Sequence, residues 1–144
     1  MNQAAEPSVL FVCVKNAGKS QMAAALMRHL SYSPVQVYSA GTHPGNALND
    51  LSVTTLAEVG AGVDSEYPKP IDPAVLRSVN RVIVIGDEAV VEPIPGMVGT
   101  INTWTIDEPS ARGVEGIERM RLVRDQLVDK VRRLDAELPN QTPS

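Results

Sequence analysis

The chain has 144 residues, a formal net charge of −4, 43% hydrophobic residues and 3% aromatic residues, which suits one domain with a substantial core. The acidic balance and the few aromatic rings argue against nucleic acid as the main partner, because phosphate backbones reward clustered cations and bases reward stacking platforms. No apolar run approaches the ~20 residues that span a bilayer, and the leading MNQAAEPS has neither the basic start nor the apolar core of a signal peptide. A cytoplasmic protein without a membrane partner is therefore expected, as a single domain over 1–144 with an ordered core over about 7–138.

In chain order, Ser8 to Val14 is a short, nearly continuous apolar run and predicts a strand buried on both faces. Residues 20–30 predict a helix whose core face carries Met22, Ala23, Leu26, Met27 and Leu30. Val35 to Ser39 predicts a second strand, and about Leu48 to Val59 a helix ending at Gly60-Ala61-Gly62. Asp72-Pro73 has the pairing of an N-cap and a first helical position. Arg81 to Gly86 predicts a third buried strand and Thr100 to Ile106 a fourth, containing Trp104. A long helix then runs to about Leu138, with a core stripe of Met120, Val123, Leu127, Val131 and Leu134. Its basic residues alternate with Glu118, Asp125, Asp129 and Asp135, the pattern of a solvated helix face. Strands that alternate with helices and are apolar on both faces predict an α/β fold, a parallel sheet covered on both sides. Ligands of such sheets bind beyond the carboxyl ends of the strands, and Cys13 stands at that end of the first strand.

Cys13-Val14-Lys15-Asn16-Ala17-Gly18-Lys19-Ser20 joins the first strand to the first helix. Such a connection can turn backbone N–H groups of Val14, Lys15, Asn16, Ala17, Gly18 and Lys19 toward one point at a helix N-terminus, making an oxyanion site. Gly18 relaxes the backbone, and Asn16 tolerates a left-handed conformation while bonding the loop internally. A free thiol is roughly a few per cent ionised at neutral pH; converging N–H groups, the helix dipole, Lys15 and Lys19 favour the thiolate. A lone strand cysteine is ordinarily a small core residue, and the anion loop reverses that expectation. The same residues approach a Walker A motif, with Gly18-Lys19-Ser20 in register, but Cys13 occupies its first glycine position. Cys13 is the only cysteine, so an intramolecular disulfide and a cysteine-rich zinc site are excluded. Redox chemistry at Cys13 must be completed by a thiol from another molecule. His29 and His43 have no metal-ligand spacing, and no metal is expected.

The order strand, Cys13, five residues, Lys19, Ser20, helix resembles the low-molecular-weight protein tyrosine phosphatases and their arsenate reductase relatives. Ser20-Gln21-Met22-Ala23, Ser39-Ala40-Gly41-Thr42 and the segment from Trp104 to Pro109 extend the likeness over most of the chain. The resemblance implies a four-stranded parallel sheet flanked by helices, of flavodoxin-like topology. It implies Cys13 as nucleophile, Asn16 as loop brace, Ser20 as hydrogen-bond donor to the thiolate and Asp107 as general acid, although Glu108 stands between Asp107 and Pro109.

Lys19 takes the place where the family's phosphatases carry arginine. A lysine is a point charge without the two-pronged grip on a tetrahedral oxyanion that phosphoryl transfer uses. Ser110-Ala111-Arg112-Gly113 offers no tyrosine to stack on a phosphotyrosine ring. Thioredoxin-coupled arsenate reductases relay oxidation through two further cysteines near the third strand, where this chain has Gly86 to Glu92 and none. The resemblance is therefore nearest to single-cysteine, mycothiol-dependent arsenate reductases (arsenate-mycothiol transferases). It implies arsenate as substrate, mycothiol as co-substrate, mycoredoxin as partner and no bound cofactor. Ala24 stands where potassium-binding relatives carry glutamate, so that ion is not carried over. The alternatives are a low-molecular-weight phosphatase and a non-catalytic oxyanion-binding module of the same fold.

Overall fold

The computed structural model describes residues 6–138; residues 1–5 and 139–144 of the expected single domain lie outside the described residues. The elements are β1 (Ser8–Cys13), α1 (Lys19–Leu30), β2 (Gln36–Gly41), α2 (Asp50–Ala57), α3 (Pro73–Ser78), β3 (Arg81–Ile85), β4 (Thr100–Trp104), a 3₁₀ turn (Pro109–Arg112) and α4 (Gly116–Glu137). The strands form one sheet in the order β2-β1-β3-β4, and every pairing is parallel. This is the expected four-stranded parallel sheet with flanking helices.

Strand alternation divides the core into two layers. Val9, Phe11, Ile83 and Ile85 pack with residues of α1, α2 and α4 on one face. Leu10, Val12, Val82 and Val84 pack with Leu76 and Val79 of the α3 region and with Ala89 on the other. α4 covers the first layer with Met120, Val123, Leu127, Val131 and Leu134, all buried, at the three-and-four spacing of a helix stripe. Each such side chain contributes about 1.5–3 kcal/mol on full burial. The expected ending of α2 is present: Gly60 has φ +83, and Ala61 N donates back to Leu56 O at 3.0 Å, closing the helix in the manner that favours glycine. Asp72 caps α3 through Ala74 N at 2.8 Å, with Pro73 at the first position.

Two expectations about the sheet need correction. Only β1 and β3 are buried along nearly their whole length, whereas β4 has only exposed and half-buried residues and the first half of β2 is open. These are the edge strands, each with one neighbour, so one side of each meets solvent. β4 also stops at Trp104, and Thr105 and Ile106 leave the ladder for the cavity described below. Between β3 and β4 the chain crosses without a helix, because Pro93 and Pro95 break any helical run. Ala89, Val91, Ile94 and Met97 of that crossing pack on the second layer instead. No helix among the described residues is long and apolar enough to cross a membrane.

Candidate active site

β1 ends at Cys13 in the middle of the sheet, and α1 begins at Lys19, so residues 14–18 must reverse direction over the carboxyl end of the strand. Asn16 makes this possible. Its φ is 52°, a left-handed conformation that asparagine tolerates better than most side chains. It is fully buried, and its Oδ1 accepts from Gln21 Nε2 at 3.1 Å and Lys69 N at 3.0 Å. That pairing orients the amide, whose Nδ2 donates to Ser20 Oγ at 2.7 Å. Ser20 Oγ accepts that bond, which leaves its own O–H to donate to Cys13 Sγ at 3.0 Å. Asn16 N donates to the same sulfur at 3.3 Å. Two donors thus converge on Cys13 Sγ, an arrangement suited to negative charge.

A second segment holds the loop from behind. Thr42 N, His43 N, Gly45 N and Asn49 N donate to the carbonyls of Cys13, Val14, Lys15 and Ala17 at 3.1, 2.7, 2.9 and 2.8 Å. These bonds consume the carbonyls of Cys13, Val14, Lys15 and Ala17, so none of the four turns toward Cys13 Sγ. Gly41 allows the approach, since a β-carbon there would sit 2.6 Å from Val14 O and 3.0 Å from Asn16 N. No side chain caps α1, and its first turn carries no acidic residue, so the turn's N–H groups remain open to a bound anion.

The loop opens into a cavity of about 400 Å³ lined by Cys13, Val14 and Lys19 and by Asp87, Glu88 and Glu108 among others. Its size falls in the range of small-molecule sites and exceeds what one tetrahedral oxyanion fills. Lys19 is the only cationic side chain that lines it among the described residues. Lys15 is exposed and does not line the cavity, nor do Asn16, Ala17 or Gly18.

Asp107, expected as general acid, lies outside the cavity. Its carboxylate pairs with Arg112, and its backbone exchanges hydrogen bonds with the Gln126 side chain, both at 2.8 Å. Its neighbour Glu108 lines the cavity instead. Its side chain caps the 3₁₀ turn through Ser110 N, which aims it toward Lys19 Nζ at 3.4 Å. Arg119 of α4 grips both Glu108 oxygens, Nη2 to Oε1 at 2.6 Å and Nε to Oε2 at 2.7 Å. The hydrogen bond from Arg119, followed by bonds from Ser110, holds the Glu108 carboxyl far below the usual carboxylate range against an opposing effect of burial. The same bonds favour the ionised form of Glu108.

The structure thus brings Cys13, Asn16, Lys19 and Ser20 together and leaves Asp107 out. Sequence reasoning passed over Glu108, Arg119, Gln21, Lys69 and Gly41 as builders of the site. Glu108 had a readable signal: a proline at the first position of a turn marks the residue before it as the cap. The others act through long-range contacts. Among the described residues no group of three or more His, Cys, Asp or Glu could hold a metal ion.

Three comparisons bear on this geometry. The low molecular weight phosphotyrosine protein phosphatase family matches residues 8–143. An arsenate reductase of Bacillus licheniformis is 28% identical over 132 residues, covering 88% of this chain and 93% of its own. Among solved structures, a thioredoxin-dependent arsenate reductase of Corynebacterium glutamicum superposes over 94% of this chain with a TM-score of 0.76 and 29% identity, and this chain spans 63% of that longer one. An arsenate reductase of Archaeoglobus fulgidus gives a TM-score of 0.73 at 27% identity, covering 90% of this chain and 99% of the other.

Proposed function

Because the chain belongs to the low molecular weight phosphotyrosine protein phosphatase family, by a match over residues 8–143, we propose that it is an arsenate reductase whose thiol co-substrate is mycothiol. The observation that carries this reading is the pairing of a sulfur held by two donors, Ser20 Oγ and Asn16 N, with the absence of any second cysteine in the chain. The relatives named above as arsenate reductases support it. Lys19 in place of arginine favours it over phosphoryl transfer, which depends on a two-pronged clamp.

Arsenate seats on the loop N–H groups with Lys19 beside it. The Cys13 thiolate attacks arsenic, and one arsenate oxygen leaves as water after taking up protons. Mycothiol, as its thiolate, then displaces Cys13 from arsenic, giving an arseno-mycothiol adduct and restoring Cys13. Mycoredoxin attacks the mycothiol sulfur of the adduct. A sulfur–sulfur bond forms as the sulfur–arsenic bond breaks, and its electron pair reduces arsenic to arsenite. The electrons come from thiols, so no bound cofactor is needed, and a cytoplasmic setting that keeps thiols reduced suits the reaction. The cavity beyond Cys13 has room for a thiol beside the oxyanion. Asp107 has no part in these steps.

The test is arsenite formation with arsenate, mycothiol and mycoredoxin by wild type and Cys13→Ser. Wild type should turn over and Cys13→Ser should fall to background. A Cys13→Ser variant at the wild-type rate would overturn the proposal. Turnover of an aryl phosphate in place of arsenate, enhanced by Lys19→Arg, would move the reading to the phosphatase.

A further inference from the structure

Glu108 sets a problem for any oxyanion entering this cavity. It places a carboxylate beside Lys19, the only cation lining the cavity among the described residues, and two further carboxylates, Asp87 and Glu88, line the same space. A Glu108 charge balanced by Lys19 alone would occupy the ammonium that the substrate needs. The observed bonds show a different balance. Glu108 receives Arg119 at 2.6 and 2.7 Å and Ser110 N and Oγ at 3.1 and 3.0 Å, whereas Lys19 is the most distant donor at 3.4 Å. Three of the four shorter bonds fall on Oε2 and one, from Arg119 Nη2, on Oε1, so Lys19 holds the remaining acceptor position of Oε1 by the longest and weakest of the five contacts.

We propose that Arg119 is a positioning residue for oxyanion binding: its two-point bond takes up the charge of Glu108, so that Lys19 stays tethered at the loop mouth yet free to turn to a tetrahedral oxyanion. This rests on the reading of the Cys13 loop as an oxyanion site. Arg119 lies on α4 and is not among the residues lining the cavity, so it acts through Glu108 without touching the substrate. The charged groups around Glu108 are Lys19 from α1, Arg119 from α4, and Asp87 and Glu88 after β3. Asp107 and Arg112 on its own segment pair with each other, and Glu115 acts on Arg119.

Removal of Arg119 leaves Lys19 as the sole cationic partner of Glu108. The two then close on each other at neutral pH, and oxyanion binding weakens. Acid should reverse this, because a Glu108 freed from Arg119 takes up a proton in the ordinary carboxylate range and releases Lys19. The experiment is protection of Cys13 from iodoacetamide by inorganic phosphate, which needs no turnover. It is run on wild type, Arg119→Met, Arg119→Lys, Glu108→Gln and the Arg119→Met/Glu108→Gln pair. Relative to wild type at the same pH, Arg119→Met should bind phosphate about tenfold more weakly near neutrality, the cost of one charge-assisted bond pair. The deficit should shrink only as pH falls through about 4, the double variant should recover, and Arg119→Lys should lie between. Unchanged protection in Arg119→Met would overturn the proposal. So would a deficit that is equal at every pH and persists in the double variant, which is the mark of lost packing alone. Wild type without arsenate turnover but with this pattern would remove the arsenate reading and leave the inference standing. Full turnover with unaltered Arg119→Met protection would do the opposite.

Discussion

Asn16 concentrates much of what the site requires in one side chain. It supplies the left-handed turn, accepts from Gln21 and Lys69 and donates to Ser20, which in turn serves Cys13. Asn16→Ala leaves buried donors and an acceptor without partners, at about 1–3 kcal/mol per orphaned group. Denaturant unfolding should show a loss of a few kcal/mol by that same scale, and alkylation of Cys13 should slow as Ser20 loses its fixed orientation. Gly41→Ala should also destabilise the protein, because the clash is with backbone at Val14 and Asn16 and neither can move without opening the loop. A wild-type melting temperature in Gly41→Ala would show that the loop is not packed against β2 as described. Asn16, Lys19 and Ser20 were legible in the sequence because their roles are local to one loop. The carboxylate of the site was not: Asp107 and Glu108 are adjacent, and only the capping of Ser110 by Glu108 and the pull of Arg119 from another element decide between them.

At the scale of elements, one carboxylate ties α4 to the end of α2 above the buried packing of Leu56. Glu58 accepts from Arg121 at 2.6 Å and from Arg124 at 2.8 Å, while Arg124 also reaches Thr55 O at 3.0 Å. The hydrogen bond from Arg121, helped by that from Arg124, lowers the Glu58 pKa from 4.5 to about 2 against an opposing cost of burial. The group binds fewer protons folded than unfolded between those values, so its contribution is full above 4.5 and is lost as pH falls toward 2. Wild type should therefore lose stability relative to Glu58→Gln across that window and not above it, as read by denaturant unfolding at a series of pH values. A difference between the two proteins that does not vary with pH would contradict this. Leu127, fully buried on α4, should cost about 2–5 kcal/mol on truncation to alanine. The α4 stripe and the two central strands were legible because burial on a fixed face leaves a strong period in sequence. The edge character of β4 and the helix-free crossing from Ile85 to Thr100 were less so, since strand order is set by long-range pairing that a local pattern does not carry.

For the whole molecule, the sheet order places β1 between β2 and β3, which sets Cys13 at the centre of the carboxyl edge. There the flanking segments after β2, β3 and β4 all reach it: Gly41 to Asn49 behind the loop, Asp87 and Glu88 on the rim, and Glu108 opposite Lys19. One chain thus supplies a single thiol held by two donors and a cavity larger than a tetrahedral oxyanion beside it. Its sequence contains no second thiol with which to finish a two-electron reduction, so a reduction begun at Cys13 needs a thiol from another molecule. The most direct measurement is arsenate-dependent NADPH oxidation with mycothiol plus mycoredoxin, glutathione plus glutaredoxin, and thioredoxin, each regenerated by its reductase and each run with Cys13→Ser. The account predicts oxidation with the mycothiol pair alone and none in the variant. Turnover supported by thioredoxin without any small thiol, or persisting in Cys13→Ser, would contradict it.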